Sequence, residues 1–341
     1  MEHKVSMDGK IKIGINGFGR IGRNLLRLLI NHPTIEVVAI NDLAEAITLA
    51  HLLKYDSIHG KLGYEVTSTN REILVNKKKI PVLMHEHPRE IPWENYEVDL
   101  VVECSGKFKS KGDLEYHLKN GVKKVLLSVP STDESIKMVV LGVNENILDG
   151  SETIISNASC TTNNAAPMLD VIHKNFGVKH AYISTIHSYT SDQSLHDRPH
   201  RDLRRGRAGA LSIIPTTTGA AKALTKVFPD LRDVIGGCGI RVPVPNGSLT
   251  DMTLNVNKTT SIEEVNAVFE KASKTYLKNI LSYTREPLVS IDIVGDTHSC
   301  IFDSQMTSVI GGDLVKLIGW YDNETGYSSR LIDLISFVSK N

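Results

Sequence analysis

Two short strings in this sequence combine residue types and spacings that can do chemistry. The first is Gly17-Phe18-Gly19-Arg20-Ile21-Gly22, a GxGxxG turn. It follows the β-rich run Ile11–Ile15 and opens a helical pattern over Ile21–Ile30. Leu25, Leu28 and Leu29 share one stripe of that helix, and Pro33 closes it off. In this setting Gly17 permits a tight turn, Gly19 lets a pyrophosphate approach the backbone, and Gly22 lets helix and strand pack closely. The helix N-terminus then faces the anion. Asp42 stands at the end of the next strand pattern, Ile35–Ile40. A carboxylate there accepts hydrogen bonds from an adenosine ribose and repels a 2′-phosphate. A Gly-rich structural turn with a solvent-exposed Asp is the plainer reading.

The second string, Ser156-Asn-Ala-Ser159-Cys160-Thr161-Thr162-Asn-Asn164, runs into a helical pattern over Ala165–Phe176. Cys160 is therefore expected at a helix N-terminus, where free N–H groups and the dipole favour a thiolate. The hydroxyls of Ser159, Thr161 and Thr162 make the same place an anion-binding cluster. A buried Cys beside an ordinary Ser/Thr N-cap fits the string equally. His187 ends a strand pattern, and an imidazole there can serve as base to a thiol; it is one of 13 histidines. Arg198, Arg201, Arg204, Arg205 and Arg207 crowd a loop marked by Pro199 and Gly206 and diluted by Asp197 and Asp202. Forked guanidinium groups suit phosphate capture. Thr216-Thr-Thr218-Gly219 adds hydroxyls and N–H groups at another helix start, and Arg241 follows. These are components for a phosphorylated small molecule.

The elements that position these residues fall into two styles. Over the first ~150 residues, strand and helix periods alternate, with Val98–Glu103 and Lys124–Ser128 as further buried strands; this implies a parallel sheet covered on both faces. The second half has longer, partly alternating strand patterns at Ala181–Ile186, Ser248–Val256, Val289–Val294 and Leu314–Trp320, as in mixed or antiparallel sheets. Ser261-Ile-Glu-Glu264 is a capping box opening a helix to about Tyr276. Leu331, Leu334, Ile335 and Val338 mark an amphipathic closing helix from Tyr327.

Composition narrows the classes. The chain has 341 residues, 41% hydrophobic and 23% charged, which excludes a disordered or fibrous protein and allows two domains. Lys+Arg and Asp+Glu both number 39, which argues against nucleic acid or an anionic membrane as main partner. The four cysteines form no CxxC, so no zinc cage, thioredoxin-type pair or disulfide framework is expected, and no metal site. The opening MEHKVSMDGK lacks an apolar core, and no 18-residue apolar run occurs, so the expected location is cytoplasmic.

Together, INGFGRIGR (15–23), YDSIHG (55–60), SNASCTTN (156–163), DLRRGR (202–207), IIPTTTGAAKAL (213–224), RVPVPN (241–246) and WYDNETGYSSR (320–330) resemble the phosphorylating glyceraldehyde-3-phosphate dehydrogenases. The resemblance spans about residues 10 to 338. It implies an α/β fold: a Rossmann-type doubly wound parallel sheet plus an α+β catalytic domain with a mixed or antiparallel sheet. The implied NAD-binding domain covers 1–158, completed by the C-terminal helix 323–341; the catalytic domain covers 159–322.

The resemblance further implies NAD as cofactor, a phosphorylated aldehyde and inorganic phosphate as substrates, a glycolytic or gluconeogenic role and a homotetramer. Cys160 would add to the aldehyde and His187 would act as base, through a thiohemiacetal and an acyl-thioester that phosphate cleaves. Thr190, Asp192 and Arg241 match the substrate-phosphate pocket. Ser159, Thr161, Thr218 and Gly219 match the inorganic-phosphate pocket, with Arg205 near both. For the cofactor, Arg20 and Ile21 match the pyrophosphate turn, Asp42 the ribose, Ser128 a backbone-side contact and Asn323 the nicotinamide carboxamide. The chain departs from the family pattern at Asn164, where a second Cys is frequent, at Thr325, which replaces an aromatic, at Glu86-His87, where an adenine-side Arg is common, and at Arg198 beside Pro199. The competing readings are erythrose-4-phosphate dehydrogenase and a non-catalytic dinucleotide- or RNA-binding regulator.

Overall fold

The computed structural model describes residues 9–340; the N-terminal string read above for a leader lies outside them up to residue 8. The described chain forms two compact units. The first runs to Val139, takes in Asn146–Ala158 and resumes at Ser328; the second comprises Val140–Glu145 and Ser159–Tyr327.

In the first unit, a sheet of nine strands among the described residues has Ile11–Asn16 at its centre. Ile35–Asn41 and Lys78–Leu83 lie parallel on one side; Leu100–Glu103, Lys124–Leu127, Ile154–Ser156 and Lys137–Met138 lie parallel on the other. Glu72–Val75 and Val66–Ser68 add an antiparallel edge. Arg20–Leu29 is the crossover helix between the first two strands, and Lys111–Leu118 links Leu100–Glu103 to Lys124–Leu127. Strand order thus reverses between Ile11–Asn16 and Leu100–Glu103, and ligands of open α/β sheets bind at that switch, beyond the carboxyl ends of the strands. The interior is aliphatic: Ile13, Ile15, Leu25, Val101, Val125 and Leu126 are fully buried.

The second unit has an eight-stranded mixed sheet among its described residues. Its order is Ile214–Thr216, Ile235–Val242, Val178–Ser188, Ser248–Val256, Leu314–Tyr321, Cys300–Asp303, Leu281–Thr284, with Ser308–Ile310 on Leu314–Tyr321. Ser248–Val256 alternates perfectly between buried and half-buried positions, which is why its period was readable. The helix Cys160–Phe176 packs on this sheet through Met168, Leu169 and Ile172, all fully buried.

The closing helix is Thr325–Val338, and Leu331, Leu334, Ile335 and Val338 are buried as its stripe requires. The capping box at Ser261 opens the helix Ile262–Lys274, with Ser261 Oγ accepting from the Glu264 N–H. One strand expectation is corrected. Ser290–Ile293 is a 3-10 turn, not part of a strand, because the Asp292 carboxylate accepts the Val289 N–H at 2.8 Å and closes the backbone on itself. Ile293 alone then turns inward, and Ile291 stays exposed.

Candidate active site

Three residues separate the strand Ile154–Ser156 from the helix that carries the thiol. Ala158 takes a left-handed conformation, φ 57°, with its N–H donated to Ser156 Oγ. Ser159 then caps the helix: its Oγ accepts the Thr162 N–H at 3.0 Å. Cys160 is thereby the first helical residue, half-buried, with its Sγ 3.5 Å from His187 Nε2.

His187 is buried near the end of the strand Val178–Ser188, and its Nδ1 lies 2.7 Å from the Ser188 carbonyl oxygen. Arg241, register partner of His187 on the neighbouring parallel strand, places Nη1 at 2.8 Å from that carbonyl and 3.0 Å from Nδ1. Burial, with Arg241 and then Arg205 adding to it, pushes His187 down to about 3 against the opposing Ser188 hydrogen bond. The imidazole is therefore neutral and able to accept a proton. Burial pushes the Cys160 thiol up, opposed by Arg241 and by the N–H groups of Thr161 and Cys160 at the helix start. A thiol within hydrogen-bond reach of a neutral imidazole is the arrangement that proton transfer from sulfur to the ring requires.

Tyr321 completes the floor of this site. Its hydroxyl lies 2.9 Å from both Thr161 Oγ1 and Thr185 Oγ1, and its ring meets His187 edge-on. Asn323 is fixed by Ser188 Oγ and Ser248 Oγ, which donate to its Oδ1 at 2.6 and 2.9 Å. That orientation turns the amide N–H₂ away from the two serines.

The loop arginines separate by role. Arg205 donates to Thr216 Oγ1 at 2.9 Å, to Asp192 Oδ2 at 2.8 Å and to the Thr217 carbonyl at 3.2 Å. Asp192 is an acceptor only, so its place in an anion site is to orient Arg205. Burial opposes its charge, but Arg205 and His200 outweigh burial and hold the carboxyl below its usual range. Thr218 Oγ1 accepts the Ala220 N–H, and Gly219 caps the helix Ala220–Val227. Thr190 is half-buried between His187 and Asp192 in sequence, with its carbonyl accepting the Gln193 N–H. Sequence reading missed Tyr321, Thr185, Ser188, Ser248 and His200 as parts of this arrangement.

In the first unit, Gly17 has φ +91°, and a Cβ there would fall 2.5 Å from the Ser105 backbone. A Cβ on Gly22 would strike the Gly17 carbonyl at 2.4 Å, whereas one on Gly19 would meet nothing within 4 Å. The open Gly19 surface sits at the N-terminus of Arg20–Leu29, with Ile21 in its first turn. Asp42 Oδ2 accepts the Phe18 N–H at 2.7 Å, which ties the acid to the turn. Arg20 pairs with Asp56; burial opposes the Asp56 charge, but Arg20 and the His59 and Ile58 N–H groups lower it to about 2. Ser128 is buried, its N–H donated to the Glu103 carbonyl. The glycine clearance, helix terminus and acid together fit a dinucleotide. Among the described residues, no trio of His, Cys, Asp or Glu is arranged to hold a metal ion.

These features define a class: an α/β protein with a Rossmann-type dinucleotide unit and a thiol–imidazole centre on a mixed-sheet unit. Residues 11–111 match the family model of the glyceraldehyde 3-phosphate dehydrogenase NAD binding domain, and residues 159–323 match that of the C-terminal domain. The chain is 51% identical over 329 residues to glyceraldehyde-3-phosphate dehydrogenase 1 of Bacillus cereus, covering 96% of this chain and 98% of that one. It is 53% identical to glyceraldehyde-3-phosphate dehydrogenase 2 of Streptomyces avermitilis and 49% identical to the Geobacillus stearothermophilus enzyme, with the same two coverages. The chain belongs to the glyceraldehyde 3-phosphate dehydrogenase family.

Proposed function

We propose that this protein oxidises D-glyceraldehyde 3-phosphate to 1,3-bisphosphoglycerate with NAD and inorganic phosphate, in glycolysis or gluconeogenesis. The observation that carries the proposal is the Cys160 Sγ to His187 Nε2 distance of 3.5 Å at a capped helix start, with Arg241 alongside. Cys160 adds to the aldehyde carbon as its proton passes to His187, and the oxyanion lies against the Cys160 N–H until His187 returns that proton to it, giving a thiohemiacetal and a neutral imidazole. Bound at the Gly17–Gly22 turn, NAD supplies the hydride acceptor. His187 takes the hydroxyl proton as the thiohemiacetal becomes a thioester. A phosphate oxygen then attacks that carbon, the C–S bond breaks, and the acyl phosphate leaves Cys160 free.

Arg241, Thr190 and Asp192-held Arg205 bind the substrate phosphate; Ser159, Thr161, Thr218 and Gly219 receive inorganic phosphate. Arg20, Ile21, Asp42 and Ser128 hold the pyrophosphate and adenosine side of NAD, and the Asn323 amide N–H₂ meets the carboxamide oxygen. The cofactor domain comprises 1–158 with the returning helix 323–341, and the catalytic domain 159–322. We also infer a homotetramer in the cytoplasm. Leu203 on the Arg-rich loop and Leu195, Leu211 and Ile213 flanking it, 69–87% exposed, support burial of that segment in an assembly. Among the described residues no helix is long and apolar enough to cross a membrane.

Steady-state rates with glyceraldehyde 3-phosphate and erythrose 4-phosphate, each with and without inorganic phosphate, test the reading. Phosphate-dependent turnover preferring the three-carbon sugar is expected; preference for the four-carbon sugar would reassign the substrate.

A further inference from the structure

Beneath the dinucleotide turn lies a buried polar chain that the reaction above does not use. Trp93, His117, Glu103, Asn16 and Asn41 are all at most 4% exposed. Their hydrogen bonds have one direction. The Trp93 indole N–H, a donor only, points at His117 Nδ1 from 2.9 Å. His117 must therefore carry its proton on Nε2, which faces Glu103 Oε2 at 3.3 Å. Asn16 Nδ2 donates to the same oxygen at 2.5 Å, while Glu103 Oε1 accepts the Ser105 N–H at 2.8 Å and the Ser105 hydroxyl. From the far side, Asn41 Nδ2 donates to Asn16 Oδ1 at 2.8 Å, and Asn41 is itself oriented by the His85 N–H and carbonyl. Donors from both ends converge on Glu103.

The placement connects this chain to the cofactor elements. Asn16, Asn41 and Glu103 are the last residues of three adjacent parallel strands. Asn16 precedes Gly17, Asn41 precedes Asp42, and Ser105 supplies the backbone against which Gly17 lies without room for a Cβ. Trp93 in turn is lodged against the central strand, where a Cβ on Gly14 would fall 2.6 Å from its ring.

We propose that Glu103, oriented by His117 and Trp93, is a positioning residue for the dinucleotide turn: it sets Gly17 and Asp42 through Asn16, Asn41 and Ser105. This rests on the reading of that turn as an NAD site. Glu103→Gln preserves shape but necessarily sets an amide N–H₂ against donors, whichever way it turns. An Asn16 flip to relieve this would break its bond with Asn41. Glu103→Asp shortens the side chain yet keeps every acceptor.

Isothermal titration with NAD on the whole protein tests the proposal, beside kcat at saturating NAD. E103Q is expected to weaken NAD binding about tenfold or more with kcat changed less than about threefold, and E103D to lie closer to wild type. Unchanged affinity in folded E103Q, or a larger loss in E103D than in E103Q, would overturn it. The ¹⁵N shifts of the His117 ring in the unmodified protein give an answer that does not depend on variant folding. The Nε2–H tautomer with Nδ1 unprotonated is expected, and the Nδ1–H tautomer would overturn the proposal. Failure of the wild-type protein to bind NAD would instead remove the cofactor reading itself.

Discussion

Arg241 Nη1 stands 3.0 Å from His187 Nδ1 and 2.8 Å from the Ser188 carbonyl oxygen, so one guanidinium faces both the base and the group that orients it. A guanidinium is a donor only, so it and Nδ1–H share the two lone pairs of the Ser188 oxygen when Nε2 is the proton acceptor. Arg241→Gln should lower kcat/KM for the phosphorylated aldehyde by about 10- to 150-fold, from the ~1.5–3 kcal/mol of a hydrogen bond to a charged group. The same change should alter turnover of unphosphorylated glyceraldehyde by less than about threefold. Equal losses on both aldehydes would assign Arg241 to His187 alone rather than to the substrate phosphate.

Asp42 sets the second prediction. Its carboxylate is held toward the turn by the Phe18 and Ala44 N–H groups and would oppose a 2′-phosphate. NAD should be preferred over NADP by kcat/KM, and Asp42→Asn should narrow the gap by raising NADP use. A kcat/KM for NADP equal to or above that for NAD would contradict the assignment.

Asp56 gives a pH dependence. Its folded value of about 2 lies below the ordinary 3.8, so the unfolded chain binds the proton more tightly. The Arg20–Asp56 pair therefore stabilises the fold fully above about pH 5, and the contribution falls away as pH drops from about 4 to 2. In urea unfolding, Asp56→Asn should be less stable than wild type at pH 7, with the difference shrinking across that window. A difference that grew on acidification would refute the pairing.

Cysteine chemistry should be selective. Burial pushes Cys104 up to about 12 and raises Cys300 as well; Cys160 is half-buried like Cys104, but at Cys160 Arg241 and the helix N–H groups oppose the rise. Limited iodoacetamide treatment followed by peptide mapping should find Cys160 modified first and Cys104 and Cys300 intact. Early modification of Cys104 would contradict this order.

What the sequence disclosed depended on how local the signal was. The Gly17–Gly22 turn, Asp42, the Cys160 helix start and the Ser261 capping box are encoded within a few residues, and each was readable. The strand Ile235–Val242 was hidden because Ile-Gly-Gly-Cys-Gly lacks the side chains that reveal a period. Val289–Val294 misled because alternating apolar residues suit a 3-10 turn as well as a strand once Asp292 closes it. Tyr321 reaches Thr161 and Thr185 across the sheet, and Trp93, His117 and Glu103 come from separate elements of the first unit. No spacing rule announces such contacts; only strand register and packing bring them together.

The covalent step is the central claim, and a single-turnover experiment addresses it most directly. Enzyme mixed with NAD and glyceraldehyde 3-phosphate without inorganic phosphate should release about one NADH per site and then stall, with the acyl group found on Cys160 by intact mass and peptide mapping. Adding phosphate should restart turnover, and Cys160→Ser should show less than about a thousandth of the wild-type rate. Sustained NADH formation without phosphate, or a burst with Cys160 unmodified, would contradict the account.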